Sequence, residues 1–309
     1  MDTVSDVALA NEFSTHRTHL IGVAYRLTSA LSDAEDAVQE AWLRLSALDD
    51  ARRAEIRDLR GWLTTVVGRI CLDRLRSAVA RRERYVGPWL PEPIVTPFGT
   101  SASDDPLETV VRDEQVRLAA LVVLDKLTPE QRVAFVLHDA FSVPFAEIGA
   151  ILGCAEATAR QYASRGRKAA ADSEPPPLAD IDEQRAVVEK LLAAIGTGDL
   201  NAVVALLHPD AVLVGDSNGK ARTARRHIVG SDKISRFLFG LAEMYGAHRI
   251  SLGELVLVNG ELGMWVPDLP AEGEHRAVDR RVTSFEVTDG RVTRIYDMVN
   301  PDKLTRSAR

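Results

Sequence analysis

The segment from Ser32 to Leu45, SDAEDAVQEAWLRL, constrains this chain more than any other. Ser32 with Glu35 three residues later predicts a capping box, and the acids of the first turn complement the helix dipole. Beyond it the residues sort onto two opposed faces at helical spacing. Val38, Ala41, Trp42 and Leu45 make an apolar stripe suited to a core. Asp36, Gln39, Glu40 and Leu43 fall on the opposite side. A solvated face ordinarily mixes signs and carries no leucine at its centre. Acids around Leu43 therefore predict a docking surface for a basic partner.

A length of 309 residues exceeds what one core holds, so two or three domains are expected. With 46% hydrophobic and 27% charged residues the chain reads as globular rather than disordered. No apolar run is long enough to span a bilayer, and the acidic start, Met1 to Asp6, lacks the basic opening of a secretory signal. A cytoplasmic protein without membrane association is expected. Cys71 and Cys154 lie far apart and suggest no disulfide framework; no metal site and no cofactor are expected.

The net charge of −7 is unevenly spread. Arg52, Arg53, Arg57, Arg60, Arg69, Arg74, Arg76, Arg81, Arg82 and Arg84 form one basic stretch, and Arg160, Arg165, Arg167 and Lys168 a second. Two such patches separated by acidic sequence fit a protein that touches DNA in two places. In the first, Leu59, Leu63, Val66 and Ile70 trace a buried helix face. Thr65, Arg69, Leu72 and Arg76 share another, where arginine can contact phosphate or a guanine edge. The second patch closes a helix-turn-helix. Thr128-Pro129-Glu130-Gln131 opens its domain with a capping box, Pro144 to Leu152 is a short helix stopped by Gly153, and a basic helix runs on to about Ala170. There Ala159, Ala163 and Gly166 form a small-residue packing face, while Arg160, Ser164 and Arg167 project towards a major groove.

Between the patches, Tyr85 to Ile94 and a Ser/Thr/Asp/Pro-rich stretch to Pro106 read as an extended linker. Trp89, Leu90 and Ile94 are apolar where a plain spacer would be polar, so they predict docking onto a neighbour. Glu174-Pro175-Pro176-Pro177 punctuates a second boundary. Beyond it come helices at about 182–195, 199–207 and 231–245, a strand at 211–215, a turn at Asp216-Ser217-Asn218-Gly219-Lys220, and strand pairs joined at Asn259-Gly260 and Asp289-Gly290. Helices followed by an antiparallel meander describe an α+β domain. Its acid/base candidates, His208, Asp216, His227, Tyr296 and Asp297, show no spacing that signals a mechanism, which favours binding or regulation over catalysis.

The spelling DAEDAVQEAWLR closely resembles the helix by which bacterial sigma factors grip the RNA polymerase clamp. GWLTTVV at 61–67 and LDRLR at 72–76 fit the promoter-melting part of the same domain, in the same order. Arg69 stands where that family usually has a base-binding asparagine, and Gly68 where it has arginine. The C-terminal layout is similar to a SnoaL-like cone, a curved antiparallel sheet with helices around a pocket. The fused cone, Trp89-Leu90-Pro91-Glu92-Pro93, the partial glycine-rich match at Asp216 to Lys220 and Asn300-Pro301-Asp302-Lys303-Leu304 together resemble the sigma-J type of extracytoplasmic-function sigma factors.

The resemblance implies two all-α sigma domains followed by the cone: domain 2 over 12–85, a linker over 86–111, domain 4 over 112–172, a Pro-rich linker over 173–181 and the SnoaL-like domain over 182–304. It implies RNA polymerase core, through its beta and beta-prime subunits, and promoter DNA as partners. Asp36, Gln39, Glu40 and Leu43 would contact polymerase; Arg57, Arg60, Arg69, Asp73 and Arg76 the −10 element; Thr158, Arg160, Ser164, Arg165, Arg167 and Lys168 the −35 element. Trp89, Leu90, Pro91, Glu92, Pro93, Asp216, Gly219, Lys220, Asn300, Pro301, Asp302 and Lys303 would regulate between domains. Regulation in cis, with no separate anti-sigma factor and no catalysis, follows, and the cone leaves room for an unidentified small ligand. The alternatives are a one-component helix-turn-helix regulator and a SnoaL-like enzyme carrying a degenerate sigma module.

Overall fold

Helix α1, Asp2–Thr28, ends where Ser29 takes the left-handed conformation, φ 54°. The chain turns there, and α2, Leu31–Ser46, starts at once with Ala30 in the cap position and no side-chain cap. The expected Ser32 capping box is therefore not the helix start. The early start carries Leu31 into the core alongside Ala34, Ala37, Val38, Ala41 and Leu45. The computed structural model describes residues 2–82, 85–99, 117–172, 179–250 and 252–305. The side chains of Arg81 and Arg82, Arg84, residues 100–106 of the linker and the Pro175 to Pro177 punctuation lie outside that description.

The chain divides into two units, Met1–Arg84 with Ala102–Pro175, and Tyr85–Ser101 with Pro176–Arg309. In the first, α1 and α2 are followed by the short α3, Asp50–Ala54, capped by Asp49, and by α4, Leu59–Arg82. Next come α5, Leu118–Leu124, and α6, Pro129–Phe135, with the Thr128–Gln131 capping box in place. After a π-type turn, Val136–Ala140, follow α7, Phe145–Leu152, and α8, Glu156–Ala171. Helix α4 packs on α1 and α2 and also on α6 and α7. Its apolar arc is correspondingly wider than one stripe: Leu72, expected beside Arg69 and Arg76 on an outward face, is buried.

One side chain ties the two halves of this unit together. Arg132 of α6 is 1% exposed and donates from Nε and Nη2 to the carbonyl oxygen of Arg26, at 3.1 and 3.0 Å. It also donates to Ser29 Oγ and to Asp125. A guanidinium from one domain thus satisfies a carbonyl in the last turn of the other domain's first helix. In the helix-turn-helix, Gly153 takes φ 68° to stop α7. Ala159, Ala163 and Gly166 of α8 are buried, as the small-residue face predicts.

In the second unit, α9, Ile181–Thr197, is capped by Asp180 and stopped by Gly198 at φ 77°. Asp199 caps α10, Leu200–Leu206. The sheet consists of β1 (Val95–Pro97), β2 (Leu207–Asp216), β3 (Ile228–Val229), β4 (Glu254–Val258), β5 (Glu261–Val266), β6 (Arg281–Thr288) and β7 (Arg291–Met298). Their order across the sheet is β1-β4-β5-β6-β7-β2-β3. The two hairpin turns lie where the dipeptides put them, with Asn259, Gly260, Asp289 and Gly290 all at positive φ. The sheet is mixed rather than antiparallel throughout, because β2 runs parallel to β7. The two strands are joined through α11 (Ser231–Tyr245), the short α12 (Ala247–Ile250) and the whole meander, a crossover long enough for parallel pairing. Val187, Val188 and Leu191 of α9 and Ile234 of α11 pack with Leu213, Phe285 and Ile295 of the sheet to form the core.

Helix α8 depends on Gly166 for its approach to α6. A Cβ there would lie 2.7 Å from Phe135 Cβ and 3.1 Å from the Gln131 carbonyl oxygen. Alanine favours a helix over glycine by roughly 1 kcal/mol, yet overpacking of this kind costs about 1–3 kcal/mol. Gly166→Ala should therefore lower the urea midpoint of the full chain. A raised midpoint would show that α8 has slack to retreat.

Candidate functional site: a linker clasp and the charged faces of the helical unit

Asp216 stands at the end of β2 with 0% exposure, and a buried carboxylate needs donors on its oxygens. Three are supplied. Tyr85 donates its hydroxyl to Oδ1 at 2.5 Å, the Leu90 amide donates to Oδ2 at 2.7 Å, and Lys303 Nζ donates to Oδ2 at 2.8 Å. Lys303 also donates to the Leu90 carbonyl at 2.5 Å, and its ammonium lies 4.0 Å from the centre of the Trp89 ring. Asn300 caps the 3-10 turn Pro301–Lys303 and donates to the Tyr85 hydroxyl at 2.7 Å. Burial first, and then the hydrogen bond to Asp216, push the Tyr85 phenol well above its ordinary range, so it stays a donor.

The turn after β2 completes the clasp. The Val86 amide donates to Asn218 Oδ1 at 3.2 Å, and a Cβ on Gly219, which sits at φ 71°, would lie 3.2 Å from Val86. Lys220 pairs with Asp302 at 2.5 Å. Farther along, the Ile94 amide donates to Asn259 Oδ1 at 3.1 Å, and the Asn259 amide donates back to the Ile94 carbonyl at 2.8 Å. Val95, Thr96 and Pro97 then pair with Val258, Leu257 and Val256 as strand β1. Trp89, Leu90, Asp216, Gly219, Lys220, Asn300, Asp302 and Lys303 thus gather at one place, and Pro301 forms the turn that aims Lys303. Pro91, Glu92 and Pro93 are buried. Tyr85, Asn218 and Asn259 belong here too. In sequence they read only as a domain end and two turn residues.

In the helical unit, Asp36, Gln39 and Leu43 are exposed and Glu40 is half-buried, all on α2 away from its core face. Leu43 is 57% exposed, while Trp42 on the other side packs against Phe13 in a tilted arrangement with ring centres 5.1 Å apart. Arg44 pairs with Glu40 at 2.5 Å, and Arg74 Nη1 lies 3.7 Å from Asp36. Arg57 and Asp73 are exposed; Arg60 reaches His19 Nδ1 at 3.0 Å. Burial, and then the charge of Arg60, push the His19 pKa down to about 4. Arg69 donates to the Ala150 carbonyl at 3.4 Å and Arg76 pairs with Glu130 at 3.1 Å, so these two α4 arginines touch the helix-turn-helix domain.

On α8, Arg160, Ser164, Arg165, Arg167 and Lys168 are exposed and Thr158 is half-buried. Arg160 pairs with Glu156 and lies 4.9 Å over the Phe145 ring. Arg167 is held by both Asp139 oxygens, at 2.7 and 2.9 Å.

Comparison with known proteins agrees with this arrangement. Residues 13–81 match the Sigma-70 region 2 family, residues 117–169 Sigma-70 region 4 and residues 188–295 the SnoaL-like domain. The ECF RNA polymerase sigma factor SigJ of Mycobacterium tuberculosis is 53% identical over 300 residues, covering 96% of this chain and 93% of that protein. The chain belongs to the extracytoplasmic-function RNA polymerase sigma factors. The probable ECF sigma factor SigI of the same organism is 35% identical, over 71% of this chain and 72% of its own. The crystal structure of M. tuberculosis SigJ superposes with a TM-score of 0.79 at 49% identity, over 96% of this chain and 98% of that one. This sigma factor, of the sigma-J type with a fused SnoaL-like domain, directs RNA polymerase to promoters and initiates transcription. Its partners are the polymerase core and promoter DNA. No described helix is long and apolar enough to cross a membrane.

The acid/base candidates of the SnoaL-like domain do not converge. His208 and His227 are exposed, and Asp216 is taken by the clasp. Tyr296 and Asp297 are neighbours on β7, and only Asp297 lines the cavity of the cone. Asp297 accepts from Thr223 at 2.5 Å and Thr283 at 3.1 Å and lies 3.7 Å from Arg281, so its oxygens are occupied.

Asp216→Asn keeps the shape of the clasp while removing the negative charge that Lys303 faces. Breaking a buried pair in this way costs about 3–5 kcal/mol. Chymotrypsin should then cut the full chain after Tyr85 or Trp89, sites that resist cleavage in the parent. Equal resistance in the two proteins would mean that the clasp does not hold the linker.

Proposed function

We propose that this sigma factor is regulated in cis by its own C-terminal domain, which holds the segment joining its two sigma domains. The observation that carries the reading is the buried Asp216 carboxylate, bonded to Tyr85 and Leu90 on one side and to Lys303 on the other. A linker so held has few conformations, and an intramolecular contact acts at high effective concentration. The device needs no separate anti-sigma protein. The domain acts without turnover, since the carboxylate at its cavity is already engaged. The protein works in the cytoplasm, where polymerase and promoters are.

Asp36, Gln39, Glu40 and Leu43 are the polymerase contact in this reading. Arg57, Arg60, Arg69, Asp73 and Arg76 serve the −10 element; Thr158, Arg160, Ser164, Arg165, Arg167 and Lys168 serve the −35 element. Arg69 and Arg76 reach the helix-turn-helix domain, and Arg132 binds that domain to α1. DNA cannot occupy the same face of α4 at the same time, so promoter engagement separates the two sigma domains. The linker that must then extend is the one the C-terminal domain clasps.

Reversing charge with Asp36→Lys and Glu40→Lys together should abolish co-purification with core polymerase while the circular dichroism spectrum stays that of the parent. Undiminished co-purification would remove α2 from the interface. For the cis reading, promoter output in transcription with core polymerase is the measure. Trp89→Ala, and truncation after Asn300, should each change that output in the same direction without altering core binding. Parent-like output from both, across several promoters, would leave the C-terminal domain without a regulatory role.

A further inference from the structure

Two arginines of α8 are held in different ways, and the difference gives them different tasks. Arg167 donates from Nε and Nη2 to the Asp139 carboxylate, so the fork that a guanine edge would need is already taken. Arg160 makes one side-chain hydrogen bond among the described residues, from Nη2 to Glu156; its Nε and Nη1 make none. That pair is open to solvent, with side-chain exposures of 63% and 52%, and an exposed pair one helical turn apart fixes a guanidinium only loosely.

What fixes its plane is Phe145, the first residue of α7, whose ring centre lies 4.9 Å from the guanidinium carbon. The ring is held in its turn. His138 stacks on it with ring centres 3.8 Å apart and planes 28° apart. Nδ1 of His138 lies 3.1 Å from the Val143 carbonyl oxygen, which can only accept, so Nδ1 carries the proton and donates. The π-type turn Val136–Ala140 supplies this support: it sets His138 beside Phe145 and the next residue, Asp139, on Arg167.

A guanidinium free to rotate loses conformational entropy when it docks, and one already held loses less. We propose that Phe145 is a specificity-determining residue for the −35 element: it holds the plane of Arg160 so that the open part of the fork meets a guanine edge. The inference rests on the reading of Arg160 as a −35 contact, and adds the base it takes and the group that aims it. Phe145 acts through Arg160 and is a positioning residue. Its ring carries no charge for phosphate, so the effect falls on discrimination between bases rather than on the salt dependence of binding.

The test is transcription by holoenzyme, assembled from core polymerase and the full chain, on a promoter library randomised across the −35 element. A barcode in the transcribed part of each template lets sequencing give the preference for each base at each position. Arg160→Ala should flatten a guanine preference at one position by about tenfold, as the loss of a two-bond contact to guanine predicts. Phe145→Leu keeps an apolar side chain of similar bulk. It should flatten the same position by about threefold, the size of an exposed cation–π contact, and leave the other positions and the salt dependence as in the parent. Phe145→Tyr keeps the ring and should keep the parent's preference. A second measurement needs no variant and decides alone if Phe145→Leu fails to fold. In the free full chain, the Arg160 Nε–H should show a higher NMR order parameter than that of Arg165, exposed on the same helix.

A position flattened by Arg160→Ala but left intact by Phe145→Leu would overturn the inference and leave Arg160 as a base contact. No position flattened by Arg160→Ala would remove the base contact itself, and the inference with it. A preference there for a base other than guanine would overturn the inference as well. So would uniform loss at every position in Phe145→Leu, a flattened position in Phe145→Tyr, or equal order parameters for Arg160 and Arg165. Each of these makes Phe145 a packing residue only, and none bears on the clasp of the C-terminal unit.

Discussion

A carboxylate placed where water cannot reach it must be surrounded by donors, and most of the C-terminal unit's unusual features follow from that requirement at Asp216. The strand β2 delivers the carboxylate. The turn behind it bends through Asn218 and Gly219, both at positive φ, and so leaves space for Val86. The chain's last 3-10 turn swings Lys303 onto the carboxylate, and Asn300 serves both that turn and the Tyr85 hydroxyl. Three segments remote in sequence satisfy one another, and none of them could be buried alone.

The helical unit meets a comparable requirement with a cation. Arg132 is buried against the carbonyl end of α1, with Asp125 as its counter-charge. Gly68 lets Leu137 and Ile151 approach α4, since a Cβ there would lie 3.2 and 3.3 Å from their methyls. A large side chain at that position would press the second sigma domain away. Side chains suited to phosphate and base edges are engaged in protein contacts instead, Arg76 with Glu130 and Arg167 with Asp139. The same guanidinium groups can serve two partners at different times, which is what a regulated DNA-binding surface requires.

Local chemistry was legible in the sequence and long-range satisfaction was not. Thr128 with Gln131, Gly153, Asn259-Gly260 and Asp289-Gly290 act within a few residues, so each could be read before any fold was known. The outward stripe of α2 was equally plain, because helical spacing alone separates Leu43 from Val38. Ser32 misled because burying Leu31 decided where the helix begins. Leu72 misled because α4 is packed from two sides, which spacing cannot reveal. The docking of Trp89 and Leu90 was foreseen from their apolar character, yet Tyr85 and Asn259 were not singled out. Their roles arise from partners more than 130 positions away.

The claim on which the account rests is that the segment between the two sigma domains is a structural part of the C-terminal domain. Hydrogen exchange at single amides of the full-length protein tests it most directly. The Leu90 amide is bonded to Asp216 and the Ile94 amide to Asn259, and β1 carries the segment into the sheet. Both amides should exchange as slowly as those at the centre of β5 and β6. Exchange of Leu90 and Ile94 at the rate of an unstructured peptide, with the sheet still protected, would contradict the account.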